Sequence, residues 1–587
     1  MSADHVAMAM LAMSETLRNQ KPPKLKMAIK CARGALKLFL SPPVQAHCHL
    51  QLGKLLFFYT DVYDLTRQHL ETAYSMMIQM GVNFVEQRLE ALSFICELYI
   101  HCRRWKFLKL LHDIGSELTT ARQHELPLYY HKLLLYYIEI NTLDNNSLQA
   151  FEGCNVALET VTDPTIQLYF RITKNLISCR LENTEVDAEE MTRIGSMIQN
   201  LESDELDRPH MVNLKFFYMC TKLAHMLTDG QTRSSRGVLR AVQNEVGTLV
   251  ETVPINGIRW MDTMPMTVFA CLMTIVNSML QCNYERALKY FRVAIKHVDD
   301  LISKSVRTPT EYCVIRSVNK MRVGLLELIG MCNVMACKPS VGINNIYEIM
   351  QYAWRNGSSE MYNEIVPNIQ NLLGLICCYM RDTESAEKHY LTAIKYQHCM
   401  DRNLYVMINV NLALLYLNEC RMAEYYDVAE RLSANRISKC STIVKHNVGF
   451  LTAFHNYLQN KITECRVVLH DLLEAAKAED LFRLHGLGIL LLSNMVPVVE
   501  EVIKPTGEWS QKGLDHFVVY WSNIVLGKLE EKRGGKSSKY NEIARQSFDF
   551  LELRSLTADL ESSPHSGLLQ LYDQEPSVFL SKEDILS

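Results

Sequence analysis

The stretch that most constrains this chain runs from Asn371 to Ala393. It reads Asn371-Leu-Leu-Gly-Leu-Ile-Cys-Cys-Tyr379, a short turn, then Ala386-Glu-Lys-His-Tyr390-Leu-Thr-Ala393. Both halves carry apolar residues at helical spacing. A glycine in the first helix, Gly374, lets a second helix come close. Ala386 and Ala393, seven residues apart, fall on nearly one face of that second helix. Tyr390 lies between them, sized to fill the gap to whatever packs next. A helix pair of this kind cannot bury its apolar faces alone, so it predicts a stack of similar pairs.

The stack is found by stepping along the chain. The Gly374 slot recurs at Ala413 in Asn411-Leu-Ala-Leu-Leu-Tyr416 and at Ala453 in Leu451-Thr-Ala-Phe454. The second-helix pattern returns as Cys465-x3-Leu469-x2-Leu472. Upstream it appears as Ala287-Leu-Lys-Tyr-Phe291-Arg-Val-Ala294, as Thr66-x3-Leu70-x2-Ala73 after Leu52-Gly53, and as Ala28-x3-Ala32-x2-Ala35. The order is that of tetratricopeptide-like repeats, with steps of about 40 residues, nearer the length of HEAT-like pairs. The expected fold is all-α, a superhelix of helical repeats, or α-solenoid. Gly53, Ala73, Ala287, Ala294, Gly374, Ala386, Ala393, Ala413 and Ala453 are the expected small packing slots.

Composition agrees. The 587 residues include only 24 Gly and 16 Pro, below the roughly 7% and 5% of average proteins. Strict alternation of apolar and polar residues is nearly absent, so strands are not expected. Repeats are expected over 1–180, a connector and weaker matches over 181–260, and repeats again over 261–530. A basic loop, a last helix ending near Leu560 and a flexible tail are expected over 531–587. Pro127 to Ile140 reads as a Tyr- and Leu-rich helix, Glu182 to Glu190 as an acidic connector, and Thr228 to Gly237 as a loop. Thr263 to Tyr284 holds no charge and is long enough to span a bilayer. Its Pro265, Asn277, Gln281 and Asn283 favour a buried first helix instead.

The charge balance, 61 basic against 65 acidic residues, excludes affinity founded on phosphate neutralisation. Two local basic runs, Lys21 to Lys37 and His101 to Lys106, read as solvated faces. The 18 cysteines sit on apolar helical faces without a disulfide framework. Met1-Ser-Ala-Asp4 lacks the basic start of a signal peptide. A reducing compartment is expected.

Catalytic motifs are missing. Gly534-Gly-Lys-Ser537 resembles the end of a phosphate loop, but Glu530 stands where the first glycine belongs. His47-Cys-His49 would point three ways from a helix, so one ion cannot take all three. No HExxH, paired CxxC or Gly-x-Ser-x-Gly occurs. No enzyme, no cofactor and no metal are expected.

Four strings go beyond the generic repeat: His49-Leu-Gln-Leu-Gly53, His69-Leu-Glu-Thr-Ala73, Leu372-Leu-Gly-Leu375 with Ala386-Glu387, and Ala478-Glu-Asp-Leu-Phe-Arg483. Their order and separation resemble the Mau-type chromatid cohesion factors, the smaller subunit of the cohesin loader, over roughly residues 5–500. The resemblance implies a non-catalytic adaptor whose superhelix encloses the N-terminal segment of the large Nipped-B-like subunit as a heterodimer. It also implies indirect engagement of cohesin and chromatin, sister chromatid cohesion and chromosome segregation in the nucleus, with the cytoplasm as a second location. Roles in cell and axon migration come with the family name. No membrane, no small-molecule substrate and little direct DNA binding are expected.

In the repeat template, the inner wall comes from first-helix residues offset from the glycine slot. Here these are Phe57, Phe58, Val276, Met279, Leu375, Tyr379, Phe454 and Tyr457, with Asn371 beside them. Such a wall is apolar and suits a long partner chain. The alternative is another tetratricopeptide scaffold, a co-chaperone or ubiquitin-ligase subunit. Co-chaperone repeats clamp a terminal carboxylate with Lys and Asn, and Lys54 and Asn371 are the residues here that could serve.

Overall fold

The computed structural model describes all residues except 1, 61, 103–106, 145, 179–187, 202–207, 248–259, 304–308, 356–358, 497–498, 535–536, 573–577 and 581–587. Among the described residues every regular element is a helix. The chain divides into two compact units. One holds 1–221, 247–266 and 298–319; the other holds 222–246, 267–297 and 320–587.

The repeat at Gly374 shows why the sequence folds as it does. Ser359–Tyr379 and Thr383–Lys395 form its two helices. A Cβ on Gly374 would lie 2.5 Å from Cε1 of Tyr390, so only glycine admits that ring. Tyr390, Ala386 and Ala393 are completely buried. Asp382 starts the second helix by accepting a hydrogen bond from the Ser385 amide at 3.1 Å, which satisfies an amide the helix cannot. The N-terminal unit repeats the device between Pro42–Tyr59 and Tyr63–Met80. There, a Cβ on Gly53 would lie 2.6 Å from Cδ2 of Leu70. Ala73, Ala287, Ala294, Ala413 and Ala453 are likewise fully buried.

First and second helices differ in kind. Arg402–Asn418 buries residues nearly all round, from Val406 through Leu417, because it lies between neighbours. Met422–Arg431 buries only Tyr425 and Val428 and turns its charges outward. A helix apolar all round must be enclosed, and an amphipathic one can face water.

The turns share a device that the sequence does not advertise. Cys282, Cys337, Arg381, Cys420, Asn460 and Leu514 all have φ between 53° and 60°. In each turn the next residue's amide donates back to the carbonyl five positions earlier, as in Asp382 to Cys377, Arg421 to Tyr416 and Lys461 to Asn456. This is the Schellman closure of a helix. Left-handed residues are usually glycine or asparagine, and only Asn460 of these six is either. The steps 381, 420, 460 reproduce the spacing of the small slots.

Thr263–Leu280 is a first helix with Thr274, Ile275, Asn277 and Ser278 buried. Its length and apolar character would also suit a bilayer, but Asn277 donates to Ser235 Oγ at 3.1 Å inside the second unit. Pro127–Leu143 forms the expected helix. Residues 103–106 of the basic run and most of the acidic connector at 182–190 lie outside the described residues; Ala188–Leu201 is a helix.

The tail is a correction. A last long helix, Leu553–Glu561, ends as expected, but the described residues after it, 562–572 and 578–580, dock rather than hang free. Leu568, Leu571 and Leu580 are 1%, 4% and 6% exposed, packed in a core with Ile343, Ile346 and Ile369. His565 stacks on Tyr347 with ring centroids 3.6 Å apart. His389, completely buried, lies 2.5 Å from Gln370 Oε1 and 3.1 Å from the Leu569 carbonyl. Composition rich in Ser, Pro and acids suggested a free tail, and a few leucines decide otherwise.

Candidate partner-binding surface

The nine wall residues do not share one fate. Phe57 is 1% exposed and meets Phe94 edge-on at 5.5 Å. It is a core residue, and the wall candidate at this turn narrows to Phe58, half-buried against the same Phe94 at 5.6 Å. Asn371 is also buried, accepting a hydrogen bond from Asn411 Nδ2 at 3.1 Å. Its position recurs 40 residues on in that partner, so it ties adjacent first helices together rather than offering a free amide. Val276, Met279, Leu375, Tyr379, Phe454 and Tyr457 are half-buried. Leu375 and Tyr379 flank the core that receives the tail. Phe454 and Tyr457 flank a core built on Ala453 and Leu469. Phe58 belongs to the first unit and the other six to the second.

Sequence reasoning missed residues beside the last pair. Tyr426 and Leu458 are both 51% exposed. The Tyr426 hydroxyl accepts from Gln459 Nε2 at 2.9 Å. His455 lies between the two tyrosines, its ring 4.5 Å from Tyr425 and 5.8 Å from Tyr426. The signal was the consecutive pair Tyr425-Tyr426 at the outer edge of a second helix. One ring is buried and the next must point out.

Polar candidates are committed elsewhere. Lys54 pairs with Glu90 at 2.5 Å and its ammonium sits 5.5 Å from the Phe94 ring centre. A lysine so held is not free to clamp a terminal carboxylate, nor is the buried Asn371. The cations Lys21, Lys24, Lys26, Lys30, Arg33 and Lys37 are all exposed. They flank the buried Ala28, Ala32 and Ala35, which seat the Leu25–Ala35 helix.

The titratable groups are built for packing. Burial pushes the thiols of Cys48 and Cys271 up to about 11, and those of Cys154, Cys332 and Cys337 up to about 12. Such thiols stay protonated and unreactive at neutral pH. Burial lowers His49, and lowers His69 to about 4, where His49 and Arg33 add to the effect. Their Nδ1 atoms lie 2.9 Å apart, a neutral pair in which one ring donates to the other. Cys48 of the His47-Cys-His49 string is fully buried. Among the described residues no three His, Cys, Asp or Glu side chains converge as metal ligands.

The cohesin loading factor family profile matches residues 9–501. The chain is 40% identical over 594 residues to Maternal uncoordinated protein 2 of Caenorhabditis elegans, covering 100% of both chains. It is 24% identical over 552 residues to the MAU2 chromatid cohesion factor homolog of Drosophila mojavensis, covering 90% of this chain and 85% of that one. Among solved structures it is similar to Scc4 crystallised with Scc2n and Ctf19n. That match has TM-score 0.57 and 11% identity, over 93% of this chain and 98% of that one. Scc4 with Scc2n alone gives TM-score 0.53 at 10% identity, over 95% and 98%. At such identities the likeness is one of fold.

Proposed function

The chain belongs to the cohesin loading factor family, and from that premise we propose that it is a non-catalytic adaptor of the cohesin loader. In this reading it holds the N-terminal segment of the large, Nipped-B-like subunit along its repeats, as Scc4 is crystallised with Scc2n. Cohesin and chromatin are engaged through that subunit. The work is nuclear and serves chromatid cohesion and chromosome segregation. Roles in migrating cells and axons belong to the same reading, as the resemblance to the Mau-type factors implies.

The observation that carries the proposal is full-length kinship with a family of loading factors, joined to half-buried apolar residues on first helices of both units. Phe58, Leu375, Tyr379, Phe454 and Tyr457 offer apolar area without a reactive group among them. A long, otherwise unfolded segment is the kind of partner that covers such residues. The co-chaperone reading loses its clamp, since Lys54 is paired and Asn371 is buried.

Coexpression with the N-terminal segment of the large subunit tests this. A ligand that binds only the folded state raises its stability, so soluble yield and melting temperature should both rise. Equal yield and melting temperature with and without the segment would contradict the adaptor reading.

A further inference from the structure

Repeats in a linear stack touch only their neighbours, yet within the second unit one loop makes a contact spanning about 245 residues of sequence. Residues 229–235 sit between Arg208–Thr228 and Arg236–Val246. Gly230, at φ +76°, lies so close to Ile443 that a Cβ there would be 2.8 Å from Cγ1. The Thr232 hydroxyl donates to the Glu479 carbonyl. The Thr232 carbonyl accepts from Asn277 and Gln281, both at 3.3 Å. The Glu479 carboxylate then takes three donors from the turn just before the Arg236–Val246 helix: the amides of Arg233 at 3.1 Å and Ser234 at 3.2 Å, and the Ser234 hydroxyl at 2.8 Å. Next to it, Arg236 pairs with Asp480 at 2.5 Å. Thr232, Ser235 and Asn277 are buried, whereas Arg233, Ser234 and Arg236 are exposed.

An anion suits this place, because the amides of Arg233 and Ser234 lie in the turn just before the Arg236–Val246 helix, beside the positive end of its dipole. Glu479 supplies it from the far side of the contact. Ser234 is the one exposed hydroxyl bonded to that carboxylate, and it lies between two exposed arginines.

We propose that Ser234 is a phosphorylation site for an arginine-directed serine kinase, and that its modification opens the contact between residues 229–236 and 479–481. In the transfer, Ser234 Oγ attacks the γ-phosphorus of ATP while the kinase takes the hydroxyl proton. The Oγ–P bond forms, the bond from that phosphorus to its bridging oxygen breaks, and ADP leaves. The product carries close to two negative charges where Oγ had been 2.8 Å from a carboxylate. It removes the donor, repels Glu479, and offers Arg233, Arg236 and the helix start an anion within the same loop. The anion supplied by Glu479 is thereby replaced by one that ties nothing across the contact. This stands independently of the partner reading.

The test uses the full chain, an arginine-directed kinase with ATP, site mapping by mass spectrometry, and hydrogen exchange. Phosphate should appear on Ser234 and not on the buried Ser235. Amides in 229–246 and 474–485 should then exchange about tenfold faster or more, while those in 405–418 keep their rates. Glu479→Gln should speed exchange in both segments without any kinase, and Ser234→Ala should leave the rates within about threefold of the parent. Absence of phosphate on Ser234 in the folded chain would overturn the proposal. So would phosphorylation with unchanged exchange in both segments, or acceleration spread equally over the whole chain.

Discussion

Gly374 and Tyr390 set the tolerance of the fold at the scale of single residues. The ring of Tyr390 occupies the volume that a Cβ at 374 would need, so Gly374→Leu must drive the two helices of that repeat apart. Overpacking of this kind costs about 1–3 kcal/mol. Chemical denaturation should register a lowered midpoint, and a midpoint equal to the parent's would show that the helices have slack. Glu327 gives a pH-dependent counterpart. Burial lifts its carboxyl to about 7 against an ordinary 4.5, although Asn368 donates to it at 2.8 Å. A carboxyl raised in the fold binds its proton more tightly folded than unfolded. Its contribution is therefore complete below about pH 4.5 and is lost as pH rises through 7. Glu327→Gln should remove that loss, so the variant should gain up to about 3 kcal/mol over the parent at pH 8 and under about 1 kcal/mol at pH 5. Melting curves at the two pH values read this directly, and a gain independent of pH would point to packing rather than ionisation. At this scale the sequence was legible where size decided the matter. Gly53, Gly374 and the alanine slots announce themselves by spacing, because no larger residue fits. The left-handed turn residues Cys282, Cys337, Arg381, Cys420 and Leu514 did not, since their conformation is imposed by the closure of the helix and not by their own preference.

Elements were legible by period and illegible where a few contacts overruled composition. The pairs Ser359–Tyr379 with Thr383–Lys395 and Pro42–Tyr59 with Tyr63–Met80 follow from the apolar pattern alone. The segment after Glu561 reads as polar, yet Leu568 and Leu571 find a surface formed by helices some 200 residues earlier. Nothing local in the tail encodes that surface. The same separation in sequence hid the contact of Glu479 with the loop at 229–235. If the tail contributes as the burial of its leucines implies, removing residues 562–587 should cost about 3 kcal/mol, a discounted figure for two or three buried side chains. Hydrogen exchange should then quicken in Pro339–Arg355 and Thr383–Lys395, where Tyr347 and His389 lose His565 and the Leu569 carbonyl. Unchanged exchange there would mean that the tail rests on the surface without supporting it. The wall candidates differ in what the sequence could show of their burial. The offset from the glycine slot picked out Phe58, Leu375, Tyr379, Phe454 and Tyr457, which are half-buried, but the same rule took in Phe57, which the neighbouring Phe94 draws into the core. Burial of adjacent aromatics is settled by the helix packed opposite, which a single sequence does not display.

Across the whole molecule, coupling between neighbours makes damage regional. The stress of Gly374→Leu should appear first as lost protection over about 365–420 and leave the first unit unaffected. Equal loss everywhere would mean one cooperative core. The adaptor reading makes a different demand, because a segment held along the repeats must touch both units. The most direct measurement is hydrogen exchange of the full chain with and without the N-terminal segment of the large loader subunit. The account predicts added protection in peptides covering Phe58 in the first unit and Leu375, Tyr379, Phe454 and Tyr457 in the second. Replacing Phe454 and Tyr457 together by Asp should remove it at that end. Protection confined to one unit, or absent from all of these first helices while the segment is bound, would contradict it.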